Sequence, residues 1–331
     1  MAPRTSQSGP GDPGTESADS LPSVERALVS GERERVSRAR ALLDPCRACP
    51  VRCGTRRSEG ERGACGAALA VPVSSAFPHF GEERPLSGHH GSGTVFFGGC
   101  NLHCIFCQNS DISQGDPEAQ REVEPEDLSR LFLQMQERGC HNVNLVSPSH
   151  VGPQLVLALA HARRQGLRVP VVWNSGGYDE PELLGLLDGL VDIYMPDAKY
   201  WDPEVGERLS GVLDYPEVLR VALREMHRQV GDLALNEQGV ATRGLLVRHL
   251  VLPEGLAGSE GVLGFLAELS RDTYVNIMGQ YHPCHRHRED PRLGRAPTPG
   301  ELQEAFDIAE RVGLRRLDER PQRLWRLRLT D

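Results

Sequence analysis

Between residues 93 and 280 the chain alternates short apolar runs with longer stretches of helical pattern, and this alternation leaves few folds open. The runs are 94–98, 142–147, 169–174, 191–196, 244–252 and 274–280. The helical stretches between them are 125–138, 153–165, 181–187, 215–230 and 258–271, and a last one covers 299–312. A strand that is followed by a crossover helix re-enters the sheet in the same direction, so the units pair in parallel. Pro125, Pro153 and Pro181 fall in first helical turns, where a missing N–H costs nothing. Gly139, Gly166 and Gly189 stand where helices stop. The pattern predicts an α/β fold, a parallel sheet curled into a partial (β/α)6 barrel. Its chemistry is expected at the C-terminal ends of the strands.

A chain of 331 residues can bury one large core and carry a small appendage. Residues 1–23 are rich in Gly, Pro, Ser and Thr and are expected to be disordered. Residues 24–92 are expected to hold a solvated helix over 24–43 and a four-cysteine metal-binding segment. Residues 93–290 form the barrel, and 291–331 a last helix and closure. The Arg-rich end, with Leu317, Leu324, Leu327 and Leu329, reads as part of that closure and not as a nucleic-acid arm. A net charge of -9 offers no basic field, so no nucleic-acid partner is expected. No apolar run is long enough to span a bilayer, and the amino terminus has no apolar signal core. The expected location is the cytoplasm. Nine cysteines in a reducing compartment point to metal rather than to disulfides.

Three of them, Cys100, Cys104 and Cys107, stand at C-x3-C-x2-C directly after the first run and the turn Gly98-Gly99. A loop of this kind can wrap three thiolates around one object. On a cubane cluster three thiolates leave one iron open, as a catalytic site requires. A zinc knuckle completed by His103 or another histidine is the competing reading. Upstream, Cys46, Cys49, Cys53 and Cys65 stand at C-x2-C-x3-C-x11-C. They suit one closed centre, either a zinc staple or a second iron–sulfur cluster, and the residues leave both open. Cys140 reads as a plain buried thiol, and His89 and His90 as loop histidines.

Cys100, Cys104, Phe106 and Cys107 after a first strand resemble the signature of the radical S-adenosylmethionine (SAM) superfamily. That resemblance implies a [4Fe-4S] cluster on the three cysteines and SAM on the open iron. It also implies reductive cleavage of SAM to a 5′-deoxyadenosyl radical that abstracts hydrogen. Ser147-Pro148-Ser149-His150 departs from the Gly-Gly-Glu that many members carry after the second strand. Ser147 and Ser149 are still expected near the cofactor. His150 either faces substrate or simply opens a helix.

Tyr194-Met195-Pro196-Asp197-Ala198-Lys199 resembles the Met-x-Asp-x-Lys of glycyl-radical-enzyme activating enzymes, such as pyruvate formate-lyase-activating enzyme. Trp173-Asn174-Ser175-Gly176-Gly177-Tyr178 is similar to a second stretch of theirs. By that resemblance Lys199 pairs with the SAM carboxylate. Asp197 contacts the cofactor or a monovalent cation, with Asn174, Ser175 and Met195 around it. Arg248 bridges SAM and substrate, and His282 touches the ribose. A mixed pair suits the zwitterionic end of SAM; the competing reading is a surface salt bridge. His282, Cys284, His285 and His287 also spell a metal tract. The implied partners are a flavodoxin or ferredoxin donor and a glycyl radical enzyme as substrate. The four-cysteine segment and the lack of a ferredoxin-like insert depart from the known activators. A radical enzyme acting on a small molecule or peptide, a non-catalytic metal-binding protein, and a zinc protein throughout are the alternatives.

Overall fold

The computed structural model describes residues 29–116 and 119–318. The expected disordered tail over 1–23 and the leucines beyond Leu317 lie outside them. Helix α1 (Ser30–Arg40) leads through the cysteine-rich loops to strand β1 (Val71–His79), the short helix α2 (Arg84–Ser87) and β2 (Ser92–Phe97). The three-cysteine loop and α3 (Ser110–Ser113) follow, then β3 (Arg121–Val123) and α4 (Pro125–Glu137). The alternation continues with β4 (Val143–Val146), α5 (Gly152–Arg164), β5 (Val171–Asn174), α6 (Pro181–Leu187) and β6 (Ile193–Tyr194). Next come α7 (Pro203–Ser210), α8 (Tyr215–Val230), β7 (Ala234–Leu235) and β8 (Ala241–Leu250). The described chain closes with α9 (Ser259–Leu269), β9 (Tyr274–Met278), α10 (Pro299–Val312) and β10 (Arg316–Leu317).

Strands β2, β4, β5, β6, β8 and β9 lie side by side in chain order and all pair in parallel. These are the six runs expected from the sequence. The sheet is extended by β10 beside β9 and, at the other end, by antiparallel β1 and β3, and its strand order is open. Strand β6 is shorter than expected because Pro196 has no N–H to give the ladder. The neighbouring amides still pair, Met195 with the Trp173 carbonyl and Asp197 with that of Ser175, at 2.9 Å each. Two departures stand out. Helix α1 is not solvated all round: Val36 and Ala39 are buried, and it packs on α5 and α6. The stretch 69–91, without clear periodicity, holds the nine-residue strand β1. Among the described residues no helix is long and apolar enough to cross a membrane.

Period-two alternation sorts the strand side chains onto two faces. Leu145, Trp173, Tyr194 and Leu245 pack outward against Leu128 and Phe132 of α4, Leu155 of α5 and Leu223 of α8. Val172, Ile193, Met195 and Leu246 face inward, where Leu86 of α2 fills the concave side. Further along the same face the layer turns polar. Arg248 donates from Nε to Glu83 Oε1 and from Nη2 to Glu83 Oε2, both at 2.6 Å, and pairs with Glu82 as well. Asn276 donates to Glu83 at 2.7 Å, and Asn144 to Glu82 at 3.1 Å.

Glu82 and Glu83 hang from the end of β1, whereas Arg248 and Asn276 belong to β8 and β9, near the opposite edge of the sheet. Side chains therefore tie across an interior that no strand pairing closes. Glu83→Ala would leave a buried guanidinium short of its partner. The variant is expected to lose about 3–5 kcal/mol in urea unfolding, whereas an exposed Glu304→Ala change should stay within about 0.5 kcal/mol.

Candidate functional site

The three-cysteine loop leaves β2 through a backbone-limited turn. Gly98 N–H donates to the Pro72 carbonyl at 2.8 Å, and Gly99 sits at φ 79°. A Cβ on Gly99 would stand 2.0 Å from the Cys65 carbonyl oxygen, so only glycine fits there. Beyond the turn each thiol has its own polar neighbour. Cys104 Sγ lies 2.9 Å from Ser210 Oγ, which is 2.8 Å from the Tyr200 hydroxyl. Cys107 Sγ lies 3.2 Å from Ser113 Oγ, and Cys100 Sγ accepts from Leu102 N–H at 3.4 Å. Asn101 donates to the Tyr178 carbonyl at 2.7 Å and pins the loop to the one that follows β5. Burial pushes the Cys100 thiol up to about 12 and raises that of Cys104, with the Lys199 charge acting against burial at both.

Lys199 is a cation that faces the thiols of this loop. Its Nζ lies 2.6 Å from Asp197 Oδ2, and both side chains are largely covered, so this is no surface salt bridge. Burial disfavours the ammonium, but Asp197, Cys104 and Tyr215 together outweigh it and hold the lysine above its usual pKa. Tyr215 sets the pair in place. Its hydroxyl accepts from Lys199 N–H at 3.0 Å and lies 2.9 Å from the carbonyls of Gly176 and Asp197. Gly177 adopts φ 76°, and a Cβ there would meet the Asp197 carbonyl at 2.2 Å. The loop after β5 thus runs tight against the loop after β6.

Residues 94–230 match the protein-family profile described as Radical SAM superfamily. An uncharacterized protein of Methanocaldococcus jannaschii, MJ0674, is 33% identical over 286 residues, covering 85% of this chain and 78% of that protein. A second uncharacterized protein of that organism, MJ0808, is 27% identical over 295 residues, covering 82% of this chain and 79% of its own length. The chain belongs to the radical SAM superfamily. It is therefore a radical SAM enzyme by class, and the superfamily implies a [4Fe-4S] cluster and SAM. The donor set fits both: three thiols on one loop for a cluster, and a covered ammonium–carboxylate pair beside Cys104 for an amino acid head group.

The remaining candidates sit as follows. Asn174 is buried at the end of β5, and Met195 belongs to the concave apolar cluster. The Ser175 hydroxyl is given to Asp179 at 2.5 Å, and that of Ser149 to the same carboxylate at 2.7 Å. Trp173 Nε1 donates to it at 3.0 Å. Burial raises the pKa of Asp179, and these three hydrogen bonds oppose it. Both serines are therefore committed to a buried carboxylate. Asp179 carries no sequence signal, since Asp179-Glu180-Pro181 reads as a helix start. Arg248 is held by Glu82 and Glu83. His282 is exposed, with Nδ1 3.4 Å from Gln108 Nε2, and Cys284 Sγ donates to the Phe106 carbonyl at 3.2 Å. The loop after β9 thus lies on the three-cysteine loop. Its metal-tract residues take separate neighbours, His285 with Gln114 and Cys284 with Phe106. Among the described residues no three His, Cys, Asp or Glu side chains close around a single metal ion.

The upstream cysteines lie against the same loop. Cys46, Cys49 and Cys65 are buried and Cys53 is exposed. Cys46 N–H donates to the Thr55 carbonyl at 2.8 Å, and Gly54 N–H back to the Cys46 carbonyl at 3.0 Å, which folds the segment into a tight double turn. Burial pushes the Cys49 thiol up to about 12. Arg57, buried beside them, donates to the His150 carbonyl at 2.8 Å and to Cys65 Sγ at 3.6 Å. Within a run that also contains Arg52, Arg56 and Arg62, nothing in the sequence singles it out. His150 Nε2 lies 2.8 Å from the Gly98 carbonyl, so this histidine opens its helix with its ring on the backbone turn that leads into the three-cysteine loop.

Burial pushes the His150 pKa down to about 4, against an ordinary value of about 6.5. The unfolded chain therefore binds the extra proton first. Stability from this ring is complete above about pH 6.5 and is lost as pH falls through about 4, a span of about 3 kcal/mol. Urea unfolding across that range is expected to show this slope in the wild type and a flatter one in His150→Gln.

Proposed function

We propose that this radical SAM enzyme activates a glycyl radical enzyme, taking its electron from a flavodoxin or ferredoxin. The observation that carries the reading is the Lys199–Asp197 pair, 2.6 Å apart and set beside Cys104 by Tyr215. It stands within Met195-Pro196-Asp197-Ala198-Lys199, the stretch that resembles the activating enzymes.

In this reading Cys100, Cys104 and Cys107 hold the [4Fe-4S] cluster. Lys199 takes the carboxylate of SAM, Asp197 keeps the lysine charged and aimed, and His282 takes the ribose. Asn174 and Met195 line the floor. Ser175 acts by position, since its hydroxyl holds Asp179 and through it the turn of Gly176 and Gly177. Arg248 is assigned to hold the concave interior. A bridge from its guanidinium to substrate would require breaking a buried ion pair. When bound, the cluster and SAM supply one-electron cleavage of the sulfonium C–S bond and hydrogen-atom abstraction. The chain's own task is to place the target C–H and to exclude water, and the loop after β9, packed over the cysteine loop, serves that end. Cys46, Cys49, Cys53 and Cys65 hold a second metal centre, zinc or an iron–sulfur cluster.

Anaerobic reconstitution followed by EPR with and without SAM tests the reading. The reduced cluster signal is expected to shift on adding SAM in the wild type. The Cys100→Ala, Cys104→Ala and Cys107→Ala triple variant is expected to lose that response and to form no 5′-deoxyadenosine. Lys199→Met should weaken SAM binding at least about tenfold while the cluster signal remains. Deuterium passing from the α-carbon of a labelled glycine in a partner enzyme into 5′-deoxyadenosine would support the activase reading. Label arriving only from peptides or small molecules would replace it.

A further inference from the structure

We propose that Cys46, Cys49, Cys53 and Cys65 hold a second iron–sulfur cluster that relays electrons to the centre at Cys100, Cys104 and Cys107. The relay rests on the reading of Cys100, Cys104 and Cys107 as the SAM-cleaving centre. Three observations carry it.

The first is spacing. Three of the cysteines fall within residues 46–53 and the fourth at residue 65. Three clustered thiols plus one distant thiol is a ferredoxin arrangement, whereas zinc sites are characteristically built from two closely spaced pairs. A cubane spreads its thiolates over separate irons, so its ligands need not converge on one point.

The second is charge. Arg57 is 1% exposed and donates to a carbonyl oxygen and to the Cys65 sulfur, and among the described residues it forms no ion pair with a carboxylate. Its Nε has no hydrogen-bond partner. Neutral thiols give a buried guanidinium no counter-charge, but a cluster held by four thiolates is anionic. His103 Nε2 is likewise covered and without a partner, and it lines the same small cavity as Arg57, Cys49, Cys53 and Cys65.

The third is placement. Asn101 and His103, which stand between Cys100 and Cys104, form one wall of that cavity. The Cys65 carbonyl lies where a side chain on Gly99 would be, and Arg57 reaches the Gly98 carbonyl through His150. The two cysteine loops are thus in backbone contact, and electron tunnelling falls steeply with separation. The opposite edge is open: Cys53 is exposed and Val51 is 41% exposed. One electron from a flavodoxin- or ferredoxin-class donor reduces the outer cluster and passes to the inner one. The outer cluster returns to its oxidised state, and no bond forms or breaks there.

The test uses the full chain, reconstituted anaerobically. Wild type is expected to hold about eight irons and the Cys100/Cys104/Cys107 triple alanine variant about four. Zinc in place of iron in that variant overturns the proposal. In the triple variant background, Arg57→Gln should move the remaining cluster to a more negative reduction potential, because a nearby cation favours the more negatively charged reduced state. An unchanged potential overturns the siting, and Arg57→Gln in the otherwise unaltered chain, where it should make the potential of one of the two clusters more negative, gives the same reading even where the triple variant fails to fold. Cys53→Ser should lower SAM cleavage driven by reduced flavodoxin at least about tenfold more than cleavage driven by dithionite. Equal losses overturn the relay alone. No 5′-deoxyadenosine from wild type with either reductant would instead overturn the SAM-cleaving reading beneath it.

Discussion

Parallel pairing constrains everything else in this molecule. A parallel strand must be reached by a crossover, so β2, β4, β5, β6, β8 and β9 all end at the same rim of the sheet. The three-cysteine loop, the Gly176-Gly177 turn, the Asp197–Lys199 pair and the loop carrying His282 follow four different strands. They meet because the topology leaves them no other side. Close backbone approach then sets their fine placement. Gly99 and Gly177 each let one loop lie where a side chain would otherwise stand.

Buried charge provides the second level of order. Asp179 gathers Ser149, Ser175 and Trp173, and so joins the ends of β4 and β5. Arg248 gathers Glu82 and Glu83, and so spans a concave face whose edges do not pair. Arg57 gathers a carbonyl and a thiol sulfur, and so joins the two cysteine loops. Each of these groups would be costly to bury alone. The first two find their partners within the protein. Arg57 has a carbonyl and a sulfur beside it but no carboxylate among its hydrogen-bond partners.

Much of the fold was legible in the sequence. Helices α6, α8 and α10 begin and end where their prolines and glycines mark them, because those signals act on the backbone locally. The six parallel strands were legible as apolar runs. Strand β1 was not, because Pro72, Pro78 and a half-exposed face break its alternation. The Asp197–Lys199 pair was legible as a pattern, and its covered setting beside Cys104 was not. Ser149 and Ser175 looked like cofactor residues because their hydroxyls stand at strand ends, where Asp179 claims both.

By itself the sequence determined the class of fold, the three-thiol loop and the residues present at each strand end, since periodicity, turn chemistry and spacing are properties of neighbours along the chain. Only the tertiary structure decided which charges share a site. Glu82 with Arg248, Arg57 with Cys65 and His150, and Tyr215 with Lys199 are partners because of how the sheet curls and how closely its loops approach. The energy of a buried charge depends on what surrounds it in space, and that information is not carried by the spacing of residues along the chain.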